Sequence, residues 1–244
     1  MSMSQILAAI RELDDQTTLI EAGDCIAVGV SGGKDSSLLL LALHRYQQYR
    51  KIPFQIVGIH IDPFFENHTI KPLVDFFASL SIPLHVIPST PAIASVLSQH
   101  LTPNGLYPCS ICAKLRTAAM NEAAKSFGCN KIAFAHHHDD ALETLMLNAI
   151  HGGTLAPLRA KRILSRNQLT IIRPLLFAKE STIVATTRQL AIPFCPSQCP
   201  TDGHTERAKM KARLQAFYHE YPQARANFQR VVRNLTLQAE EKES

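Results

Sequence analysis

Apolar residues recur along this chain in two rhythms that take turns. Ile6, Leu7, Ile10 and Leu13 fall at helical spacing and predict a helix over 4–19. A compact apolar run at 25–30 predicts a strand, and 35–49 predicts a helix straight after it. Next come a β-rich run over 54–61, with Pro53 tolerated at its start, a helix over 70–80, and a third strand at Leu84–Ile87. Ile111, Leu115, Ala118, Ala119 and Met120 give 109–127 a helical period, with Gly128 as its C-cap. A fourth strand at 131–135, a helix at 139–150 closed by Gly152-Gly153, and a fifth strand at Leu169–Ile172 complete the alternation. The tail, 206–238, reads as two helices divided near Tyr221-Pro222.

Strands separated by helices predict an α/β fold, a doubly wound parallel sheet of about five strands with right-handed crossovers. Ligands of such sheets bind beyond the carboxyl ends of the strands, where strand order reverses. The apolar pattern breaks at that rim. Ser31-Gly32-Gly33-Lys34-Asp35-Ser36 follows the first strand and opens the second helix. Glycine lets backbone turn tightly and approach a ligand closely. The helix start offers unpaired N–H groups and a positive dipole end to an anion. Lys34 and the hydroxyls of Ser31 and Ser36 add direct contacts, so the stretch predicts a phosphate cradle. It matches neither G-x-x-x-x-G-K-[ST] nor G-x-G-x-x-G.

Composition narrows the class. The chain has 244 residues, 46% hydrophobic and 18% charged, which fits a globular protein. Its start lacks the apolar core of a signal peptide, and its longest apolar run is too short for a bilayer. A cytoplasmic, reducing setting with no membrane is the expectation, and six cysteines are too few for a disulfide scaffold. Charge is uneven. Residues 1–150 carry 10 basic and 13 acidic side chains, whereas 151–244 carry 15 and 7. A basic last third points to a polyanion partner.

Two further constellations carry chemistry. After the fourth strand, His136-His137-His138-Asp139-Asp140 opens a helix, with Glu143 one turn on. Carboxylates suit a helix start for structural reasons alone. A phosphate tail held in the cradle also needs Mg²⁺, which takes one or two carboxylates plus phosphate oxygens, and Asp140 with Asp35 is expected to hold it. His136 and His137 are expected to shape the ligand pocket; consecutive histidines point apart and make a poor zinc site. Glu143 is expected to brace the helix.

The second constellation is cysteine. Cys25 and Cys129 read as ordinary buried thiols. Cys109 and Cys112 form a C-x-x-C pair at a helix start after Pro108, where the dipole is expected to lower thiolate pKa. Cys195 and Cys199 form a C-x-x-x-C pair among Pro193, Pro196 and Pro200. A four-thiolate zinc site and a redox pair carrying a persulfide both remain open on these residues.

The S-G-G-x-D-S stretch resembles the PP-loop of ATP pyrophosphatases, which split ATP between the α and β phosphates and adenylate a substrate. The resemblance extends to the His-His-His-Asp-Asp cluster with Glu143-Thr144, to Cys109-Ser110-Ile111-Cys112-x-x-Leu115-Arg116, and to the Arg207…Tyr221-Pro222 region. The combination is most similar to the tRNA thiolation branch, the tRNA 2-thiocytidine synthetases. Ala135 stands where that family usually has Gly, and no N-terminal zinc finger of the thiouridine-forming relatives is present before Asp24.

The resemblance implies a division into an N-terminal helix (1–23), a PP-loop ATP-binding catalytic domain (24–200) and a basic helical C-terminal region (201–244). It implies Ser31, Gly32, Gly33, Lys34, Asp35, Ser36, His60, Ala135, His136 and Asp140 as nucleotide-site residues, with His60 by the adenine. It implies Lys34, Asp35, Asp140, Cys109 and Cys112 as catalytic. It adds a third reading of the thiols, a 4Fe–4S cluster held by Cys109, Cys112 and either Cys195 or Cys199. The expected reaction is ATP-dependent thiolation at C2 of a tRNA pyrimidine, cytidine favoured. Sulfur would come from a donor such as a cysteine desulfurase or free sulfide. Arg159, Lys161, Arg162 and Arg166 form one candidate tRNA-backbone patch, and Arg207, Lys209, Lys211 and Arg213 another. A homodimer, a lysidine-type ligase, a cluster-free persulfide enzyme and a non-catalytic nucleotide or RNA binder stay open.

Overall fold

The computed structural model of the protein describes residues 3–62, 69–88, 96, 99–100, 109–165, 168–195, 199 and 205–241. Arg166, Pro108, Pro196, Pro200 and the boundary expected at 200/201 lie outside them. The elements in chain order are α1 (Met3–Thr17), β1 (Cys25–Gly29), α2 (Lys34–Arg50), β2 (Gln55–Ile61), α3 (Lys71–Ser79) and β3 (Leu84–Ile87). They continue with α4 (Cys109–Ser126), β4 (Lys131–Ala133), α5 (His138–Gly152), β5 (Lys161–Leu164) and β6 (Leu169–Ile172). The last three are α6 (Glu180–Gln189), α7 (Glu206–Glu220) and α8 (Ala224–Glu241).

The strands form one sheet in the order β3-β2-β1-β4-β6-β5. β1 pairs in parallel with β2 on one side and β4 on the other, β2 with β3, and β4 with β6. Among the described strands only β5 runs antiparallel, against β6 at the edge. Strand order therefore reverses at β1/β4, and a crevice must open beyond the carboxyl ends of those two strands. The expectation of about five strands is one short. Lys161 and Arg162 masked the extra strand because an edge strand tolerates charge and β5 leaves Ile163 exposed. The Thr-rich helix α6 is a further addition.

Each face of the sheet is covered differently. On one side Ile26, Val28 and Val30 of the β1 segment meet Leu38–Leu43 of α2, which is apolar all round and buried between the sheet and α1. Met3, Ile6, Ile10 and Leu13 of α1 share this core with Met210 and Leu214 of α7 and Val232 of α8. On the other side α4 lays Met120, Ala123 and Ala124 over Ala27, Ile59, Ile61 and Ile132. Two buried polar groups lock the frame. The Tyr46 hydroxyl donates to Asp14 at 2.7 Å, joining α2 to α1, and the buried Lys131 ammonium lies 2.7 Å from Asp24 beneath β1. Gly58 lets β2 fit between α2 and the turn into β3: a Cβ there would stand 2.8 Å from Leu40 and from the Pro83 carbonyl. Among the described residues no helix is long and apolar enough to cross a membrane.

Candidate functional site

The cradle forms where β1 ends. Gly32 adopts φ +93, and a side chain there would press on Ile70 and Cys195. The turn is tied internally. Ser36 Oγ accepts the Ser31 N–H at 3.0 Å and donates to the Gly33 carbonyl at 3.1 Å, and Ser37 donates to the same carbonyl at 3.0 Å. With Gly33 as an extended N-cap, α2 points its first N–H groups into the crevice.

Lys34 projects beside them, its Nζ 3.0 Å from Asp35 and 3.3 Å from Glu180 of α6. Burial alone would lower the Lys34 ammonium; Asp35 and Glu180 outweigh it and hold it above the ordinary lysine value. Lys211 of α7 donates to both Glu180 oxygens, at 2.7 and 2.8 Å. Against its own partial burial, these two lysines keep the Glu180 carboxyl below its usual range.

The opposite wall comes from β4 and the head of α5. The His137 N–H donates to Asp140 Oδ2 at 2.9 Å, and Arg207 donates to Asp140 Oδ1 at 3.1 Å and to Thr144 at 2.9 Å. Asp139 accepts the Glu180 N–H at 3.1 Å, stitching the starts of α5 and α6 together. His137 Nε2 stands 3.4 Å from Asp140 and 3.9 Å from Asp35, so the two walls face each other across one imidazole. Asp35 Oδ1 is buried with no hydrogen-bond partner. A carboxylate oxygen left in that state, within a phosphate cradle, fits a hard cation such as Mg²⁺. Asp140 could join only by giving up Arg207 or the His137 N–H.

Burial, with Arg173 nearby, pushes the His136 imidazole down to about 4, so it is neutral at pH 7. Glu143 is buried on α5; burial, and then Asp140, push its carboxyl up to about 7. Ala135 packs partly buried against the larger core at the same strand end.

A narrow apolar slot of about 170 Å³ opens beside the cradle. Val30, Ile59, Ile61, Thr117, Met120 and Phe134 line it, and Arg116 sits at its edge. A flat heterocycle suits such a slot. His60 is not among its lining residues. Alternation along β2 turns Ile59 and Ile61 to the α4 side and His60 to the other, where its Nδ1 lies 2.7 Å from the Val30 carbonyl.

The thiols separate by environment. Cys109 is exposed and Cys112 half-buried on the first turn of α4, Cys199 is half-buried, and Cys195 is buried. The Cys195 N–H donates to the Gly32 carbonyl at 3.1 Å, so this residue is packing behind the cradle. Burial pushes the Cys112 thiol up, against the expected lowering at a helix start; Arg116 opposes the rise, and Cys199 and Cys109 add to it. That electrostatic influence puts Cys199 in the neighbourhood of the α4 pair. Three thiols near one helix head fit the donor chemistry of an iron–sulfur cluster. Among the described residues no three His, Cys, Asp or Glu already stand at metal-binding distance.

Two of the expected tRNA-patch residues are engaged within the protein: Arg207 with Asp140 and Lys211 with Glu180. Lys209 pairs with Glu206 on the surface. Glu180, Thr117, Met120 and Phe134 are site residues the sequence reading missed. Their only signal is position, at strand ends or helix starts facing the crevice.

Comparison with known proteins places these features in context. A model of the PP-loop domain matches residues 4–216. The tRNA-cytidine(32) 2-sulfurtransferase of Pelobacter propionicus is 37% identical over 219 residues, covering 89% of this chain and 80% of that protein. The enzyme of the same name from Anaeromyxobacter dehalogenans is 34% identical over 223 residues, covering 90% and 73%. Among solved structures, the U34-tRNA thiolase NcsA from Methanococcus maripaludis with its 4Fe–4S cluster superposes with a TM-score of 0.73. The superposition covers 94% of this chain and 78% of that one at 20% identity, a likeness of fold.

Proposed function

This chain belongs to the PP-loop family, among the tRNA-cytidine(32) 2-sulfurtransferases, and we propose that its crevice adenylates the C2 oxygen of that cytidine and replaces it with sulfur. One observation carries the reading. Helix α4 bears Cys109 and Cys112 on its first turn and lines the apolar slot with Thr117 and Met120 further along. A single rigid element thus joins a sulfur-handling group to a nucleotide pocket whose phosphate cradle lies alongside.

In this reading adenine enters the slot and the phosphates lie over Gly32, Gly33 and the α2 N-terminus. The cytidine O2 attacks the α-phosphorus; a P–O bond forms and the bond to the β-phosphate bridge breaks. Lys34 and the cradle N–H groups stabilise the charge that collects on the departing pyrophosphate. Asp35, with Asp140, would hold Mg²⁺, which neutralises phosphate charge when bound. The C2–O bond, now part of an AMP ester, breaks as sulfur adds, because AMP leaves where a free carbonyl oxygen would not. Cys109, Cys112 and Cys199 would hold a 4Fe–4S cluster, whose open iron offers a place to bind sulfide when present. Free sulfide supplies the sulfur at the oxidation level that the thiocarbonyl needs, its proton leaving to solvent. His136, neutral in its pocket, adds no positive charge that would compete for the phosphates.

The test measures pyrophosphate release and tRNA nucleosides with purified protein, ATP, a tRNA bearing cytidine at position 32, and sulfide under anaerobic conditions. The expected outcome is tRNA-dependent pyrophosphate with 2-thiocytidine in the digested tRNA. A new amine-bearing nucleoside without 2-thiocytidine would overturn the reading in favour of a ligase.

A further inference from the structure

A second pair of thiols lies at the opposite end of the sheet and takes no part in this chemistry. Cys25 begins β1 and Cys129 lies two residues before β4; they are 104 positions apart in sequence, yet their sulfurs stand 3.1 Å apart. β1 and β4 are parallel neighbours in the register Ile26↔Lys131, so both cysteines lie at the amino ends of the strands, away from the crevice.

The surrounding backbone holds them in place. The Asn130 N–H donates to the Cys25 carbonyl at 3.0 Å, the Cys25 N–H donates to Asn130 Oδ1 at 2.9 Å, and the Cys129 N–H donates to the Ala124 carbonyl at 2.9 Å. Asn130 is anchored in turn by a 2.8 Å bond to Asp24. Cys25 is half-buried and Cys129 buried, so a small reagent approaches the pair from the Cys25 side. Burial, with Cys25 beside it, pushes the Cys129 thiol up to about 12, so it resists ionisation and stays a thiol until its partner is activated.

We propose that Cys25 and Cys129 form a redox-modification site, which hydrogen peroxide converts to an intramolecular disulfide. Cys25 takes one peroxide oxygen, giving a sulfenic acid and one water. The Cys129 sulfur displaces the hydroxyl of that sulfenic acid, and its proton leaves with the hydroxide as a second water. Two thiols are oxidised and one peroxide is reduced. Contact geometry makes the second step effectively unimolecular, ahead of further oxidation to a sulfinic acid. Helix α4 separates this pair from Cys109 and Cys112; its 18 residues span about 27 Å, too far for sulfur to pass between the two sites.

The test uses the full chain, purified anaerobically and treated with one to a few equivalents of hydrogen peroxide. Remaining thiols are alkylated in denaturant as the protein is unfolded, before tryptic digestion without reductant. Cys25 and Cys129 fall on separate tryptic peptides, 12–34 and 126–131, each holding one cysteine. The expected product is those two peptides joined, 2 Da lighter than their sum, and released by dithiothreitol. Closing so long a loop should raise the Tm of the oxidised protein by roughly 5–15 °C, a gain absent from Cys25→Ser. Recovery of both peptides singly alkylated, or of Cys25 as sulfinic acid beside an untouched Cys129, while other cysteines oxidise, overturns the proposal. So does a linked peptide that appears only when the protein is unfolded before oxidation.

Discussion

Arg207 and Asp140 meet across the rim of the crevice: the guanidinium donates to the carboxylate at 3.1 Å although 67 positions separate them in sequence. The contact clips α7 onto the head of α5, and Lys211, one turn further along α7, repeats it on Glu180. Arg207→Ala removes both this ion pair and the bond to Thr144. Because the pair is partly exposed, the expected stability loss is about 0.5–1 kcal/mol, a Tm drop of about 1–4 °C. A tenfold or larger fall in tRNA-dependent pyrophosphate release should accompany it, since the wall beside the nucleotide loses its brace. Unaltered turnover at an unaltered Tm would show the contact to be idle.

Lys34 is the cation nearest the cradle. Lys34→Ala should lower ATP cleavage by about 10²–10³-fold while circular dichroism stays native, because a preorganised charge at the leaving group is lost. Asp35→Ala should do the same, and raising Mg²⁺ should partly restore it if the buried oxygen serves the cation. Full activity in either variant removes that residue from the chemistry.

The two sulfur candidates near residue 200 should part company when iron is counted. Cys199→Ala is expected to lose iron on anaerobic reconstitution, as are Cys109→Ala and Cys112→Ala. Cys195→Ala is expected to keep iron and to lose about 1 kcal/mol of stability, the cost of removing a small buried side chain packed on Gly32. Iron retained by Cys199→Ala and lost by Cys195→Ala would reverse the assignment.

Half-buried His136 and buried Glu143, both near the rim, have opposing pH signatures. His136, at about 4 in the fold, takes up its proton in the unfolded chain near pH 6.5, so stability rises with pH between about 4 and 6.5. Glu143, at about 7 in the fold, releases its proton in the unfolded chain near pH 4.5 and keeps it when folded. Its contribution is therefore complete below about pH 4.5 and lost as pH climbs to about 7. Between 4.5 and 6.5 the two slopes offset one another. In Glu143→Gln the histidine slope should stand exposed, approaching 1.4 kcal/mol per pH unit in urea denaturation. An identical slope in wild type and variant would contradict the opposition.

The architecture was legible where side chains repeat. The periods of α1 and α4 come through because burial on one face leaves a rhythm, and α2 and the inner strands come through as continuous apolar runs because they are covered on every side. Arg162 and Ile163 hid β5, since an exposed edge strand needs no apolar alternation. Glu180 and the slot residues were not legible, because they gather from five separate strands and helices. The Cys25–Cys129 contact was invisible for the same reason: it depends on β1 and β4 being neighbours, a fact of strand order rather than of local sequence. His60 shows how a strand's alternation decides a role, since one step along β2 turns it from the slot to the far face.

The central position of β1 also has a consequence for how the chain is made. Its partner β2 follows closely in the sequence, but β4 and β6 arrive only at Lys131 and Ile172. At translation speeds of about 5–20 residues per second, the roughly 100 residues between β1 and β4 leave one edge of β1 unsatisfied for about 5–20 s. Such an edge pairs readily with other strands. The half-made protein, β1-β2-β3 with α1 and α2 in place, is therefore the form most in need of a chaperone. Nascent chains arrested before residue 131 should aggregate when released, and chains arrested well past residue 172 should stay dispersed.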